Sequence, residues 1–330
     1  MGRKKKILVS ENEQVSLSDN LDEPMPPPVR IINEGLEDDR LTSLKKVMGD
    51  INKKYKTQAI KFAKDEPAKL RIAFGVEQID KFTGGGVQCG NVTVVYGAEQ
   101  VGKSTLCLEL IANAQKLGKV CAYIDLEHSF TVDRAIQFGV DVTKLVLIEE
   151  IDTAEKAMDI TIKLSSNKVV DLIVCDSIQA MTPKHELQDK AGDAKSTEDE
   201  SMALLARKLG QFLRMSGPYI YQGNVALVLI GQVRTQGIGS FITKLGLSGG
   251  HAVKHWSVLT LYMRKGQGAD APTENQIIDG EKEKVKIGFD LVVNLEKTKV
   301  GGSEVEGQNI HLPFYFKTGF RAKEDVDGSN

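Results

Sequence analysis

The most specific chemical signature in the chain is a glycine-rich loop. Residues 97–104 read GAEQVGKS, a GxxxxGKS pattern between an apolar run and a helical pattern. In such a loop, backbone N–H groups turn inward around phosphates, the lysine contacts the β- and γ-phosphate oxygens, and the serine hydroxyl binds Mg²⁺. The pattern predicts a site for ATP and Mg²⁺, formed by Gly97, Ala98, Glu99, Gln100, Val101, Gly102, Lys103, Ser104 and Thr105.

Two carboxylates at predicted strand ends would complete this chemistry. An apolar run ends in Asp176, at the edge of the sheet where the phosphate loop also lies, so Asp176 is predicted to hold Mg²⁺ together with Ser104. A helix N-cap is the alternative role for Asp176. A second run ends near Asp125 and Glu127, and strand alternation would put both on one face. Glu127 is predicted to deprotonate the attacking water, and His128 to be structural.

A parallel sheet is needed to bring these residues together. Short, nearly continuous apolar runs are typical of strands buried on both faces, and here they alternate with helical patterns. The strands are predicted at residues 92–96, 120–126, 145–149, 171–176 and 225–230, and the helices at 103–117, 130–138, 153–165 and 202–215. Beyond Trp256, strands joined by turns predict antiparallel additions at the sheet edge. The predicted fold class is therefore α/β, with a mostly parallel central sheet flanked by helices.

The N-terminal part has a different composition. Residues 11–39 carry nine acidic residues and one basic residue, and they include a proline-rich stretch, so residues 1–40 are predicted to be a disordered arm. Its role is either solubilising or the docking of a partner. Residues 41–64 instead contain seven lysines and one acid, and they combine an apolar helical stripe with a short extended stretch at residues 59–63. This element must pack on its own core or on a neighbouring subunit, through residues that include Leu44, Met48, Ile51, Ile60 and Phe62.

Composition excludes several classes of protein. The chain has 43 Lys and Arg against 45 Asp and Glu, a balance that argues against a generally basic coat for duplex DNA. No run approaches the roughly 18 apolar residues of a membrane span, and the basic start is not followed by the apolar core of a secretory signal. The four cysteines are scattered, as is typical of a reducing compartment. The expected location is the cytoplasm, without a membrane partner.

The motifs resemble, in order, those of the RecA family of DNA recombinases, including its bacterial and UvsX-like phage members. The similarity covers roughly residues 41–320 and is carried by the phosphate loop and by residues 125–128, 175–177, 182–184, 230–234 and 249–252. It implies a RecA-type P-loop ATPase core in residues 67–330, without the family's small C-terminal lid domain, and a polymerisation helix and strand in residues 41–66. It also implies that Glu127 activates water and that Gln232 senses the γ-phosphate and couples it to a DNA-binding loop.

The resemblance further implies two DNA-binding loops, at residues 186–201 and 235–250. The first loop is more acidic than phosphate binding favours, so the arginines of the following helix are the stronger candidates. The second loop has glycine freedom and apolar tips suited to insertion between bases. The predicted DNA-binding residues are Arg207, Arg214, Arg234, Ile238, Phe241, Lys244, Gly249 and Gly250.

A pair of lysines implies assembly. Lys297 and Lys299 resemble the family's paired lysines, which reach the γ-phosphate across a subunit interface, and Lys254 would support that interface. A solvated strand end is the alternative. The resemblance thus implies a homo-oligomeric helical filament on single-stranded DNA that pairs with homologous duplex DNA. The acidic arm of residues 1–40 lies outside the resemblance, and we expect it to bind a loader or single-strand-binding protein or to compete with DNA. The alternatives are a hexameric helicase with the same fold and a non-hydrolysing recombination mediator.

Overall fold

The computed structural model describes residues 36–56, 60–184, 202–236, 244–247, 250–267, 271–278, 281–299 and 303–321. The chain divides into two compact units, residues 1–67 and 68–330. Among the described helices, none is both long enough and apolar enough to cross a membrane.

The first unit contains the helix α1 (Leu36–Tyr55). It begins five residues before the start expected from sequence, so residues 36–40 belong to the helix and not to the arm. Asp39 lies in the first turn, and Lys53 and Lys54 lie in the last. A negative charge at the N-terminus and positive charges at the C-terminus interact favourably with the helix dipole. The remainder of the predicted arm, residues 1–35, lies outside the described residues.

The extended stretch predicted at residues 59–63 is not a β-strand. Ile60 and Phe62 lie in irregular backbone, followed by a 3-10 turn (Ala63–Asp65). Asn52 of α1 supplies the hydrogen bonds that a neighbouring strand would otherwise give: its Nδ2 donates to the Ile60 carbonyl at 2.8 Å, and its Oδ1 accepts from the Ile60 amide at 3.1 Å. A strand needs a ladder partner, and the described part of this unit contains none.

The second unit is built on a nine-stranded sheet. Its strands run in the order β13-β12-β9-β3-β7-β6-β4-β5, with β8 added to the end of β7. The strands of the unit are β1 (Arg71–Ile72), β2 (Val87–Gln88), β3 (Val92–Gly97), β4 (Cys121–Asp125), β5 (Leu145–Ile148), β6 (Leu172–Asp176), β7 (Ala226–Gln236), β8 (Lys244–Leu247), β9 (Leu259–Lys265), β10 (Thr273–Ile278), β11 (Glu281–Lys286), β12 (Gly288–Thr298) and β13 (Asn309–Tyr315). β1 with β2 and β10 with β11 form separate two-stranded sheets.

Helices cover both faces of the large sheet. They are α2 (Glu77–Thr83), α3 (Lys103–Lys116), α4 (Val132–Gln137), α5 (Ala154–Ser166), α6 (Met202–Gly223) and α7 (Gly250–Trp256), and a 3-10 turn (Ser303–Val305) precedes β13. One buried cluster joins the sheet to α3, through side chains such as Leu110, and the other joins it to α5 and α6, through Met158 and Phe212. Burying each such side chain contributes roughly 1.5–3 kcal/mol.

The predicted fold class is confirmed, with differences at its edges. Strands β3, β4, β5, β6, β7 and β9 pair in parallel, and β12 and β13 are antiparallel additions at one edge. β9 follows Trp256 but is parallel to β3, not antiparallel as expected. The helix expected to end at residue 215 continues to Gly223, and the strand expected to end at Ile230 continues to Gln236, because burial of Ile220 and pairing with β8 extend them.

Candidate active site

The phosphate loop connects β3 to α3. Gln100 and Gly102 take positive φ angles of 55° and 90° there, and the loop ends where α3 begins. The loop starts in a tight position, because a Cβ on Gly97 would lie 2.0 Å from the carbonyl oxygen of Met263 on β9. A side chain on Gly102 would meet the Phe314 ring of β13 at 2.4 Å. Both contacts explain why glycine is required at these two positions.

Lys103 is buried at the start of α3, with its ammonium turned back into the loop. Its Nζ donates to the carbonyl oxygens of Gly97, at 3.1 Å, and Ala98, at 2.6 Å. Burial lowers the pKa of Lys103, while the carboxylates of Asp176 and Glu127 oppose that shift. The ammonium group therefore lies beside the N-terminus of α3, a 14-residue helix, where the phosphate loop begins the helix. A cation and a helix N-terminus together form an anion-binding arrangement.

Asp176, predicted from sequence as a metal ligand, lies next to the other predicted ligand. The Ser104 hydroxyl donates to its Oδ2 at 2.6 Å. The carboxylate ends β6 and is buried, and burial raises its pKa, while the hydroxyl groups that donate to it lower the pKa. A hydroxyl and a carboxylate at a helix N-terminus are the oxygen donors that Mg²⁺ prefers, so these residues fit the predicted ion.

Tyr123 is a member of this cluster that sequence reasoning missed. It lies on β4, and its hydroxyl donates to Asp176 Oδ2 at 2.6 Å. Burial and the nearby Asp176 charge raise the pKa of Tyr123 well above its ordinary value, so it stays a neutral donor. Its role depends on the register of β4 against β6, which sets Tyr123 beside Val174, and no pattern within either segment shows that pairing.

Glu127, the predicted general base, lies in the bend after β4. Ser177 Oγ and Gln232 Nε2 both donate to its Oε1, the latter at 3.4 Å. The expected strand alternation does not apply, because β4 ends at Asp125. That buried carboxylate accepts the amides of Glu127, at 3.2 Å, and Phe130, at 2.8 Å, and so turns the backbone. From this bend the exposed Glu127 side chain reaches Ser177, which follows β6, and Gln232 of β7.

A cleft of about 230 Å³ adjoins the phosphate loop and includes a cation not expected from sequence. Arg134 of α4 lines it, and its Nη2 donates to Thr105 Oγ1 at 2.9 Å. The guanidinium carbon lies 5.2 Å from the centre of the Phe138 ring. The remaining lining is formed by residues 100–105 together with Leu108, Tyr123, Ser129, Phe130 and Thr131.

The two lysines expected at a subunit interface lie at the end of β12 and directly after it, and both contact their own chain. Lys297 Nζ donates to the carbonyl oxygens of Lys254 and, at 3.2 Å, His255, and Lys299 Nζ lies 3.4 Å from the latter oxygen. Burial and the charge of Lys299 lower the pKa of Lys297. Lys254, also expected at the interface, pairs with Glu296 at 2.6 Å.

The predicted DNA-binding residues are only partly described. Arg207 and Arg214 are exposed on α6 and, being seven residues apart, lie on one face of the helix. Arg234 and Lys244 belong to the paired ends of β7 and β8, and Gly250 begins α7. Ile238, Phe241 and Gly249 lie outside the described residues, as does the first predicted loop, residues 186–201.

The apolar stripe predicted on α1 is present as an exposed face. Leu41, Leu44, Val47 and Tyr55 are all more than two-fifths exposed, while Met48 and Ile51, like Ile60 and Phe62 after the helix, are partly buried. The first unit thus presents large side chains that its own described residues do not cover.

The geometry agrees with the comparison to known families. A family model described as the RecA N-terminal domain matches residues 42–299 of the chain. The match includes the phosphate loop, Asp176, Glu127, Gln232, Lys297 and Lys299, and it begins within α1.

Proposed function

The chain belongs to the RecA family, and we propose on that premise that it polymerises on single-stranded DNA, pairs that strand with a homologous duplex and exchanges strands. The family accounts for the coarser part of this function, a DNA-binding P-loop ATPase of recombination. The finer part includes hydrolysis at subunit boundaries. The observation that carries the proposal is a link between the base and the predicted DNA-binding segment. Glu127 is hydrogen-bonded to Gln232, and Gln232 lies on the strand that leads into the predicted second DNA loop.

Nucleotide binding uses the phosphate loop. The Lys103 ammonium exchanges its two carbonyl acceptors for phosphate oxygens, and the amides of the loop surround them. Ser104 and Asp176 would hold Mg²⁺, which would neutralise charge on the phosphate oxygens.

Hydrolysis requires a base and a link to DNA. Glu127 accepts the proton of the attacking water, and the hydrogen bonds from Ser177 and Gln232 orient its carboxylate. Because Gln232 also belongs to β7, a shift in the loop after this strand alters the position of the base. DNA binding and hydrolysis are coupled through this contact.

Assembly completes the site. Lys297 and Lys299 of a neighbouring subunit approach the γ-phosphate and stabilise the charge of the transition state. The exposed face of α1, with residues 41–66, supplies the polymerisation contact. Arg207 and Arg214, exposed on one face of α6, contact DNA phosphates together with Arg234 and the second loop.

Glu127→Gln tests this function directly. We expect a fall in kcat for DNA-stimulated ATP hydrolysis of about 100-fold or more, since a positioned general base typically contributes this much. The variant should still form filaments on single-stranded DNA with ATP. Glu149→Gln, at an exposed position directly after β5, is the matched control and should hydrolyse normally.

Imaging with a slowly hydrolysed ATP analogue and single-stranded DNA separates the alternatives. Open helical filaments support the proposal, whereas closed rings with duplex unwinding indicate a helicase. Unchanged turnover in Glu127→Gln contradicts the role of Glu127 as the base, whereas a wild-type protein that assembles without hydrolysis indicates a mediator.

A further inference from the structure

Three side chains from separate elements form a closed triangle behind the phosphate loop. The Glu296 carboxylate of β12 accepts a hydrogen bond from the Tyr96 hydroxyl at 2.7 Å through Oε2, and from Lys254 Nζ at 2.6 Å through Oε1. The Lys254 ammonium also lies 5.4 Å from the centre of the Tyr96 ring. Each member therefore contacts the other two.

The positions of these residues in the chain connect three functional segments. Tyr96 is the last residue of β3 before Gly97, where the phosphate loop begins. Glu296 immediately precedes Lys297. Lys254 belongs to α7, the short helix that follows the predicted second DNA loop. A movement of α7 is thereby linked to the loop that holds phosphate and to the strand that carries the lysines.

The C-terminal end of α7 also holds those lysines. Lys297 donates to the carbonyl oxygens of Lys254 and His255, and Lys299 lies within reach of the latter. Carbonyl groups in the last turn of a helix have no partner within the helix and carry the negative end of its dipole, so they attract ammonium groups. In this arrangement both lysines are docked on their own subunit.

The triangle is partly protected from water. Tyr96 is 3% exposed, and burial together with the Glu296 carboxylate raises the pKa of its phenol well above the ordinary value, so it acts only as a neutral donor. The side chains of Lys254 and Glu296 are each about one-third exposed. The ion pair is thus open enough to break when α7 moves, while the Tyr96 contact anchors the carboxylate to the sheet.

We propose that Glu296 is a positioning residue that holds α7 against β3 and keeps Lys297 and Lys299 docked until the second loop binds its ligand. This inference rests on the proposed function. Displacement of α7 by the loop breaks the Lys254–Glu296 pair, withdraws the carbonyl acceptors and frees both ammonium groups for a neighbouring subunit. The coupling therefore has two states, docked and released, and Glu296 stabilises the docked one.

The first experiment measures docking without DNA. Full-length protein is treated with an amine-acylating reagent, and labelling rates at individual lysines are followed by mass spectrometry. Glu296→Gln keeps an acceptor for Tyr96 but loses the charge that pairs with Lys254. Because the docked state is then less stable, we expect the labelling rates at Lys297 and Lys299 to rise about threefold or more. Rates at the exposed Lys282 and Lys284 should not change. Unchanged labelling at the two docked lysines overturns the proposal.

The second experiment measures coupling as the ratio of ATPase rates with and without single-stranded DNA. Both Glu296→Gln and Tyr96→Phe should lower this ratio about fivefold or more, with KM for ATP and the thermal unfolding midpoint close to wild type. Because the two changes remove different contacts of one connected triangle, the double variant should lose less than the sum of the two single losses. Glu304→Gln, an exposed glutamate in the 3-10 turn before β13, is the matched control.

The outcomes distinguish the two proposals. A wild-type ratio well above one with an unchanged ratio in both single variants overturns the coupling and leaves the proposed function standing. A wild-type protein whose ATPase ignores DNA contradicts the proposed function and leaves nothing for Glu296 to couple. If Glu296→Gln does not fold, Tyr96→Phe decides, since it removes one hydroxyl and leaves the ion pair in place.

Discussion

At the scale of single residues, the state of the Asp176 carboxylate depends on opposing effects. Burial raises its pKa, and the hydroxyl groups of Ser104 and Tyr123 lower it by donating hydrogen bonds to the charged form. The ionised form is the one that can hold a cation. The two hydroxyl donors therefore keep a buried acid available as a ligand, and Tyr123 acts on the chemistry through Asp176.

Tyr123→Phe tests this dependence. Loss of the hydroxyl removes an interaction that lowers the Asp176 pKa, so this pKa should rise further. The acid limb of the pH profile for Mg²⁺-dependent ATP hydrolysis should then move to higher pH by about one unit, the size expected for one hydrogen bond to a charged group. The measurement is kcat/KM between pH 5.5 and 8.5. Tyr219→Phe, with an exposed hydroxyl on α6, should leave the profile unchanged, and an unshifted profile in Tyr123→Phe would contradict the assignment.

At the scale of elements, the phosphate-loop helix is tied to a distant part of the chain. Arg321 Nη2 donates to Glu109 Oε2 of α3 at 2.5 Å and to the Phe138 carbonyl at 3.2 Å. Glu109 is only 5% exposed, and burial raises its pKa while Arg321 lowers it. The segment after β13 therefore neutralises a buried charge on α3 and attaches that helix to the end of α4.

Arg321→Ala should weaken this connection in a pH-dependent way. The free energy of unfolding should fall by about 1–3 kcal/mol at pH 8, because Glu109 loses its charged partner while buried. A group whose folded-state pKa is raised favours folding when protonated and loses that contribution as pH rises through the folded-state pKa. Without Arg321 the Glu109 pKa is higher still, so the deficit of the variant should shrink as pH falls.

Urea unfolding between pH 4.5 and 8 measures this deficit. In a Glu109→Gln background no carboxyl titrates at this position, so Arg321→Ala should cost less there and its effect should not follow pH. An equal loss at every pH in both backgrounds would show that Arg321 stabilises through its other contacts, such as the Phe138 carbonyl, and not through Glu109.

At the scale of the whole molecule, the exposed face of α1 is a feature that the described residues of the first unit do not explain. Leu44 is 46% exposed and Val47 51% exposed, on a helix whose opposite face is also in solvent. Apolar side chains arranged as a stripe gain free energy when covered, by roughly 25 cal/mol for each Å² removed from water. A neighbouring copy of the chain is the occupant that the proposed filament supplies.

Leu44→Glu should prevent assembly without unfolding the second unit. A charge placed in the stripe must be desolvated at the interface, and we expect cooperative binding to single-stranded DNA to weaken about tenfold or more, which corresponds to about 1.4 kcal/mol. Thr42→Glu adds the same charge on the opposite face of α1 and should assemble normally. Sedimentation with DNA and an ATP analogue measures the effect, and equal assembly by both variants would exclude this face as the contact.

Local pattern determined much of the fold and the core of the candidate site. The phosphate loop was recognisable because its residues are neighbours in sequence, and continuous apolar runs identified buried parallel strands, including β3, which extends one residue beyond the predicted end. Asp176 could be expected beside Ser104, since carboxyl ends of parallel strands share one edge. The ends of helices could be predicted less well. The helix α6 continues beyond its predicted end because burial of its last turns depends on distant residues.

Only the tertiary structure decided which distant side chains meet. Tyr123 lies 53 residues from Asp176, and Glu296 lies 200 residues from Tyr96, so periodicity within a segment holds no information about either contact. These contacts follow from the strand order, which sets β4 next to β6 and brings β12 close to β3, and from the register of each pair. The sequence by itself determined which residues could bind phosphate and where strands would form. The pairing of strands decided which side chains contact those phosphate-binding residues, because side-chain interactions act over a few ångströms in space and not along the chain.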